Sequence, residues 1–242
     1  MIRHNLLWNG EPQMPLVVMI PGGSGTRRAL MRGYEAAAGF LWLRGYSCYL
    51  AETAGQDGAA GAFSLSASLC ECRDSLAELT QQLSPRDIIL CGSCSGGAVA
   101  TYLAAERQDT HSLILYESPP RFPQWTRDDF VVRAKQLGMV LSRDFLNEYI
   151  DTIDKAPEVS CPVLICWGTG TRPPIFVPED GRLLADEFSN ASHIGTKEYP
   201  AADHNVFRGS NARVLHTILK DIVAFVESDA LQPSMSQALP AH

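Results

Sequence analysis

The sequence predicts an α/β fold, a mainly parallel sheet flanked by helices with a small helical lid inserted in the middle of the chain. Three observations carry this expectation. Short apolar runs of strand character alternate with longer helical stretches, the order that parallel strands joined by crossover helices produce. Two of the apolar runs end in glycine-rich turns, Pro21-Gly22-Gly23-Ser24-Gly25 and Gly92-Ser93-Cys94-Ser95-Gly96-Gly97. The chain has 242 residues, of which 45% are hydrophobic, enough to bury one sizeable core.

The elements follow in order. Leu16–Ile20 is the first buried strand, closed by the first glycine-rich turn. A helical stretch over 26–44 leads to a strand over 46–51. A loop rich in Gly and Ala at 53–61 precedes a helix over 66–83. Ile88, Ile89, Leu90 and Cys91 form an unbroken apolar run, a second buried strand. A polar turn and the Gly96–Gly97 pair then precede an Ala-rich helix from Ala98 to Arg107. Residues 112–117 (SLILYE) are the next strand.

Pro119, Pro120 and Pro123 break the alternation, and residues 119–158 are expected to form the lid, helical and amphipathic over 128–153. The core resumes with a strand over 163–167, a helix over 179–189 and a short strand over 196–199. A helix over 210–227 closes the fold, with Val214, Ile218, Ile222, Val223 and Phe225 on its apolar face. The core is thus expected over 1–118 and 159–228. Residues 229–242 lack periodicity and are expected to be a disordered tail.

Composition narrows the function. The net charge is -7, with acidic residues scattered and no basic run, which argues against a nucleic-acid partner. No run approaches the roughly 20 apolar residues of a membrane span, and the N-terminal stretch lacks the apolar centre of a signal peptide. A cytoplasmic location is the expectation. No dinucleotide fingerprint is present, and the first glycine-rich turn lacks the Gly-Lys-Ser/Thr ending of a phosphate-binding loop. Neither cofactor nor metal is expected.

The seven cysteines, odd in number and without a compact framework, read as free thiols of a reducing compartment. Cys48, Cys91 and Cys166 fall in apolar strand runs and read as inert core residues. Cys70 and Cys72 lie at alternate positions of a helix, pointing apart, which is a poor zinc pair. Cys91 and Cys94 have C-x-x-C spacing, but a redox pair sits with both cysteines in the first turn of a helix. Here Cys91 belongs to the strand.

Gly92-Ser93-Cys94-Ser95-Gly96 has the spacing of the nucleophile elbow G-x-S-x-G, with cysteine in the serine's place, and it sits between a strand and a helix as that motif requires. The nucleophile of an elbow holds a strained backbone conformation, so neighbours without a Cβ let the strand turn sharply into the helix. A helix N-terminus also favours a thiolate. Cys94 is the expected nucleophile. The alternative register, centred on Ser95, replaces the first glycine with Ser93.

With these motifs in hand, the chain resembles the α/β-hydrolase superfamily over residues 16–227. The resemblance implies an oxyanion hole from the backbone N–H of Ser95 together with Gly23 or Ser24. It implies a catalytic histidine in a loop after the last strand, where Ala201-Ala202-Asp203-His204-Asn205 stands. The family's acid usually follows the strand represented by 163–167, but Gly168-Thr169-Gly170-Thr171-Arg172-Pro173-Pro174 carries no carboxylate. A variation of the family places the acid after the preceding strand, which here implies Glu117. Asp180 is the alternative, and a Cys–His pair without any acid is a third, since a thiol ionises more readily than a hydroxyl.

A cysteine at this position is similar to that of dienelactone hydrolases and of thioesterase-like domains in natural-product pathways. The implied chemistry is acyl transfer through a thioester at Cys94, acting on an ester, thioester or lactone carbonyl of a small-molecule acyl substrate, free or carrier-bound, with hydrolysis, transfer or cyclisation as the outcome. Phe122, Trp125 and Met139 of the lid, with Phe130, Leu137, Phe145 and Tyr149, either line an apolar acyl pocket or pack the lid onto the body. Two competing readings remain: a small-molecule receptor that has lost its acid, and a lyase or cyclase without a covalent intermediate.

Overall fold

A computed structural model describes residues 6–10, 14–22, 27–51, 61–121, 131–132, 140–143, 145–148, 150–170 and 176–230. Its strands are β1 (Leu6–Leu7), β2 (Leu16–Ile20), β3 (Ser47–Leu50), β4 (Ile88–Ser93), β5 (Thr110–Tyr116), β6 (Val163–Gly168) and β7 (Ile194–Tyr199). They form one seven-stranded sheet in the order β1-β3-β2-β4-β5-β6-β7. β1 is antiparallel to β3 and every other pairing is parallel. The long helices are α1 (Arg27–Trp42), α2 (Leu65–Leu83), α3 (Ser95–Glu106), α4 (Pro178–Glu187) and α5 (Ala212–Ala230).

The unbroken apolar runs have a simple cause: successive side chains of a strand point to opposite faces, and both faces here are covered. In β4, Ile88 and Leu90 join a core with Leu76 and Leu79 of α2, Val99 and Leu103 of α3 and Leu184 of α4. Ile89 and Cys91 join a second core with Tyr34, Ala37 and Leu41 of α1 and Leu215, Ile218 and Ile222 of α5. The sheet therefore lies between α1 and α5 on one side and α2, α3 and α4 on the other.

The order β3-β2-β4 positions the site. From β2 the chain passes outward to β3, then returns to β4 on the other side of β2. The carboxyl ends of β2 and β4 consequently border a crevice where the winding reverses, the place where ligands bind in open α/β sheets. Pro21-Gly22 leaves β2 there and Cys94 leaves β4.

Several elements differ from the sequence expectation. α3 begins at Ser95, not at Ala98, so Gly96 and Gly97 lie inside the helix. A Cβ on Gly96 would strike the carbonyl of Ile20, and one on Gly97 would strike the hydroxyl of Ser118. Close packing at those points overrides the low helix propensity of glycine. β7 begins at Ile194 and α5 runs on to Ala230. The inserted segment is not one continuous helix: Leu141 pairs in parallel with Phe63, 145–147 form a 3-10 turn, and Thr152–Lys155 is a single helical turn. The tail expected over 229–242 lies outside the described residues from 231 onward. Among the described residues, no helix is long and apolar enough to cross a membrane.

Candidate active site

Cys94 stands alone between β4 and α3 with φ 51° and ψ −127°. A non-glycine residue in that region costs about 1–3 kcal/mol and persists only where its surroundings dictate it. Its N–H donates to the Tyr116 carbonyl at 3.1 Å, and its carbonyl accepts from the Gly97 N–H at 3.0 Å and the Ser118 hydroxyl at 2.9 Å. The glycines make room for the turn. A Cβ on Gly92 would stand 2.6 Å from the Gly96 carbonyl oxygen, and one on Gly22 would stand 2.5 Å from the Cys94 Cβ. Gly22 therefore brings the backbone after β2 directly against the Cys94 side chain.

Ser95, the alternative nucleophile, is the first residue of α3 and not the strained turn residue. Its amide belongs to the first turn of that helix, whose N–H groups point toward the elbow. The other implied oxyanion donors, Gly23 and Ser24, lie outside the described residues. So do the lid residues Phe122, Trp125, Phe130, Leu137, Met139 and Tyr149. Phe145 is described and packs in the core against Phe63, ring centroids 5.7 Å apart.

His204 lies in the loop after β7, and its Nδ1 is 2.7 Å from Oε2 of Glu117. Glu117 is 1% exposed and follows the last residue of β5 with φ 44°. Its other oxygen, Oε1, accepts the Gly168 N–H at 3.0 Å, and its own N–H donates to the Cys166 carbonyl at 2.8 Å. Both carboxylate oxygens are thus satisfied, as a buried acid requires. His204 also hydrogen-bonds Cys94. Nδ1 is held by Glu117, which leaves Nε2 for that bond.

The electrostatics follow from these contacts. Burial pushes the His204 imidazolium down, but the charge and hydrogen bond of Cys94, joined by those of Glu117, outweigh it and hold the group up at about 10 against an ordinary 6.5. The other buried thiols behave in the opposite sense from a nucleophile. Burial pushes Cys48, Cys91 and Cys161 up to about 12 and Cys166 higher still, which keeps them as thiols. No disulfide joins Cys91 and Cys94.

The loop after β6, the family's usual seat for the acid, is laid against the backbone of the histidine loop. Gly170 N–H donates to the Ala202 carbonyl at 2.7 Å, and a Cβ on Gly168 would collide with that same residue. Asp180 serves the start of α4, where its carboxylate accepts the Val177 N–H at 2.9 Å. Of the two carboxylates considered from sequence, only Glu117 reaches His204.

Sequence reasoning missed Ser118, whose buried hydroxyl lies against the Cys94 carbonyl and 3.1 Å from the Thr152 hydroxyl. Gly97 is the only trace of it in the sequence, since that glycine leaves space for the hydroxyl. Among the described residues, no group of three or more His, Cys, Asp or Glu is arranged to hold a metal ion.

Solved structures share this architecture. Est1E from Butyrivibrio proteoclasticus, solved with ferulic acid bound, superposes with a TM-score of 0.72 at 17% identity over 94% of each chain. A Pyrococcus furiosus esterase gives 0.70 at 13% identity over 92% of this chain and 84% of its own. A lipase-esterase related protein from Clostridium acetobutylicum ATCC 824 gives 0.65 at 14% identity over 91% and 98%. No curated protein matches the sequence. The sequence does match the alpha/beta hydrolase family over residues 17–217, a span that holds the sheet from β2 to β7, the elbow, Glu117 and His204, and the chain belongs to that family.

Proposed function

We propose that the protein is a cysteine-dependent acyl hydrolase that forms a thioester between Cys94 and the acyl group of a small ester, thioester or lactone. One observation carries the reading. Cys94, in a strained turn, hydrogen-bonds His204, whose far ring nitrogen is held by the buried carboxylate of Glu117. In this reading Cys94 is the nucleophile, His204 the base and Glu117 the orienting acid, the order that covalent acyl transfer needs.

In the reaction, His204 Nε2 holds the proton given up by the thiol, and Cys94 Sγ attacks the carbonyl carbon as the thiolate. A C–S bond forms and the carbonyl π pair moves to oxygen. That oxyanion rests on the N–H of Ser95 and of the Gly23–Ser24 turn, each donor worth about 2.7–4 kcal/mol of the barrier. Collapse expels the alcohol or thiol, which takes the proton from His204. Water then attacks the thioester, gives a proton to His204, and releases the acid as Cys94 leaves. Glu117 keeps the ring in the orientation that directs Nε2 at the sulfur and stabilises the imidazolium. Phe122, Trp125 and Met139 of the lid are the proposed walls of the acyl pocket.

The solved relatives named as esterases support an ester among the substrates. A thioester intermediate is open to amines and thiols as well as water, so transfer and cyclisation belong to the same proposal. The contact of Glu117 with His204 weighs against the receptor reading, which a missing acid had favoured.

The test is turnover of a panel of p-nitrophenyl esters, acyl thioesters and aryl lactones by the wild type and by Cys94→Ala. Loss of about 10³-fold or more in the variant, toward the residual activity a site keeps without its nucleophile, supports the proposal. Equal rates overturn it.

A further inference from the structure

Tyr116, the last residue of β5, is fully buried and touches both halves of the site. Its carbonyl accepts the N–H of Cys94 at 3.1 Å. Its phenol donates to the carbonyl of Asp203, the residue before His204, at 2.8 Å. The next residue along the strand, Glu117, bonds His204 itself at 2.7 Å. Two consecutive residues of one strand end therefore grip two consecutive residues of the histidine loop.

The phenol has little freedom to be elsewhere. Its ring meets Phe207 edge-on at 5.2 Å, Phe207 stacks on Tyr34 at 5.4 Å, and the Tyr34 hydroxyl is 2.6 Å from that of Ser93, the neighbour of Cys94. The contacts close a circuit from the elbow, through three rings, back to the strand end. Burial first, with the charges of Glu117 and Asp203, pushes the phenol far above its ordinary range, so it is a proton donor to Asp203 at any working pH.

We propose that Tyr116 is a positioning residue: through the Asp203 carbonyl it fixes the loop from which His204 springs, and so sets the distance and angle between His204 and Cys94. The proposal rests on the reading of Cys94 and His204 as the reactive pair. Glu117 and Cys94 set the direction of the ring but not the place of the backbone that carries it. The Tyr116 bond, beside that of the Val206 N–H to the same Asp203 carbonyl at 3.1 Å, fixes that backbone, and a misplacement of about 1 Å in such a pair costs about a hundredfold in rate.

The test is Tyr116→Phe, which removes only the hydroxyl, beside Tyr199→Phe, which removes another buried phenol hydroxyl of the same core, one that donates to Asp221 at 3.0 Å. Each is read by kcat and KM and by the pH profile of Cys94 alkylation with iodoacetamide. Tyr116→Phe is expected to lower kcat about tenfold with KM unchanged, the signature of lost transition-state geometry. Its alkylation profile is expected to move toward that of His204→Ala, while Tyr199→Phe keeps the wild-type profile. Tyr116→Phe with wild-type kcat and profile overturns the proposal, whatever its melting temperature. Should Tyr116→Phe not accumulate as folded protein, Phe207→Leu, which loosens the same ring, carries the same expectation and the same contrary result. Failure of the acyl-enzyme reading is visible separately, as wild-type turnover independent of Cys94, and the alkylation profiles still report whether Tyr116 governs the pair.

Discussion

Oε2 of Glu117 lies 2.7 Å from Nδ1 of His204, while Oε1 of the same carboxylate accepts the Gly168 N–H at 3.0 Å. The Glu117 carboxylate is anchored by β6 but supplied by the end of β5. Its backbone pays in strain for the reach, with φ at 44°, and the loop after β6 is left to pack against the histidine loop.

Glu117→Gln keeps the shape and the Gly168 contact but removes the charge that steadies the imidazolium. In a serine triad the equivalent change costs about 10⁴-fold in kcat. The cost is smaller for a thiol, which ionises without as much help, so the expected loss in kcat/KM is about 10–100-fold. Steady-state kinetics on one activated thioester check it, and an unchanged rate removes Glu117 from the machinery.

The raised titration of His204 gives a pH prediction. Cys94 is the first of the groups that raise it, and the coupling is reciprocal: a thiolate that favours the imidazolium is favoured by it. The imidazolium persists as pH rises toward about 10, so Cys94 of the wild type is expected to react with iodoacetamide well below the ordinary thiol range of about 8.5. His204→Ala removes the positive charge, and its alkylation profile is expected to move to higher pH. Coincident profiles contradict the pairing.

Two glycines separate site geometry from helix propensity. A Cβ on Gly22 would stand 2.5 Å from the Cys94 Cβ and 3.2 Å from its sulfur, so Gly22→Ala is expected to displace the proposed nucleophile and lower kcat by about a hundredfold. Gly39, within α1, has open space around the same position. Gly39→Ala is expected to leave activity intact and to stabilise the fold by about 0.5–1 kcal/mol, measured by denaturant unfolding.

The elbow was legible because its signal is local. Gly92, Cys94 and Gly96 are close in sequence, and the apolar run before them declares a strand. Glu117 was legible for a related reason: a carboxylate ending an apolar strand needs a partner. β1 was not, since two residues, Leu6 and Leu7, show no period. The start of α3 was misjudged because Gly96 and Gly97 read as a turn until the contacts with Ile20 and Ser118 are seen. The lid was misjudged where Leu141 pairs with Phe63 across the chain. Tyr116 left no trace in the sequence, for its bond to Asp203 spans 87 residues.

The most direct test of the central claim is intact-protein mass spectrometry after brief exposure to activated esters and acyl thioesters, with peptide mapping of any adduct and Cys94→Ala alongside. The account predicts an acyl-sized mass gain on the peptide holding Cys94, absent from the variant and released by hydroxylamine as a thioester. An adduct that survives Cys94→Ala, or that maps to the hydroxyl of Ser93 or Ser95, contradicts it.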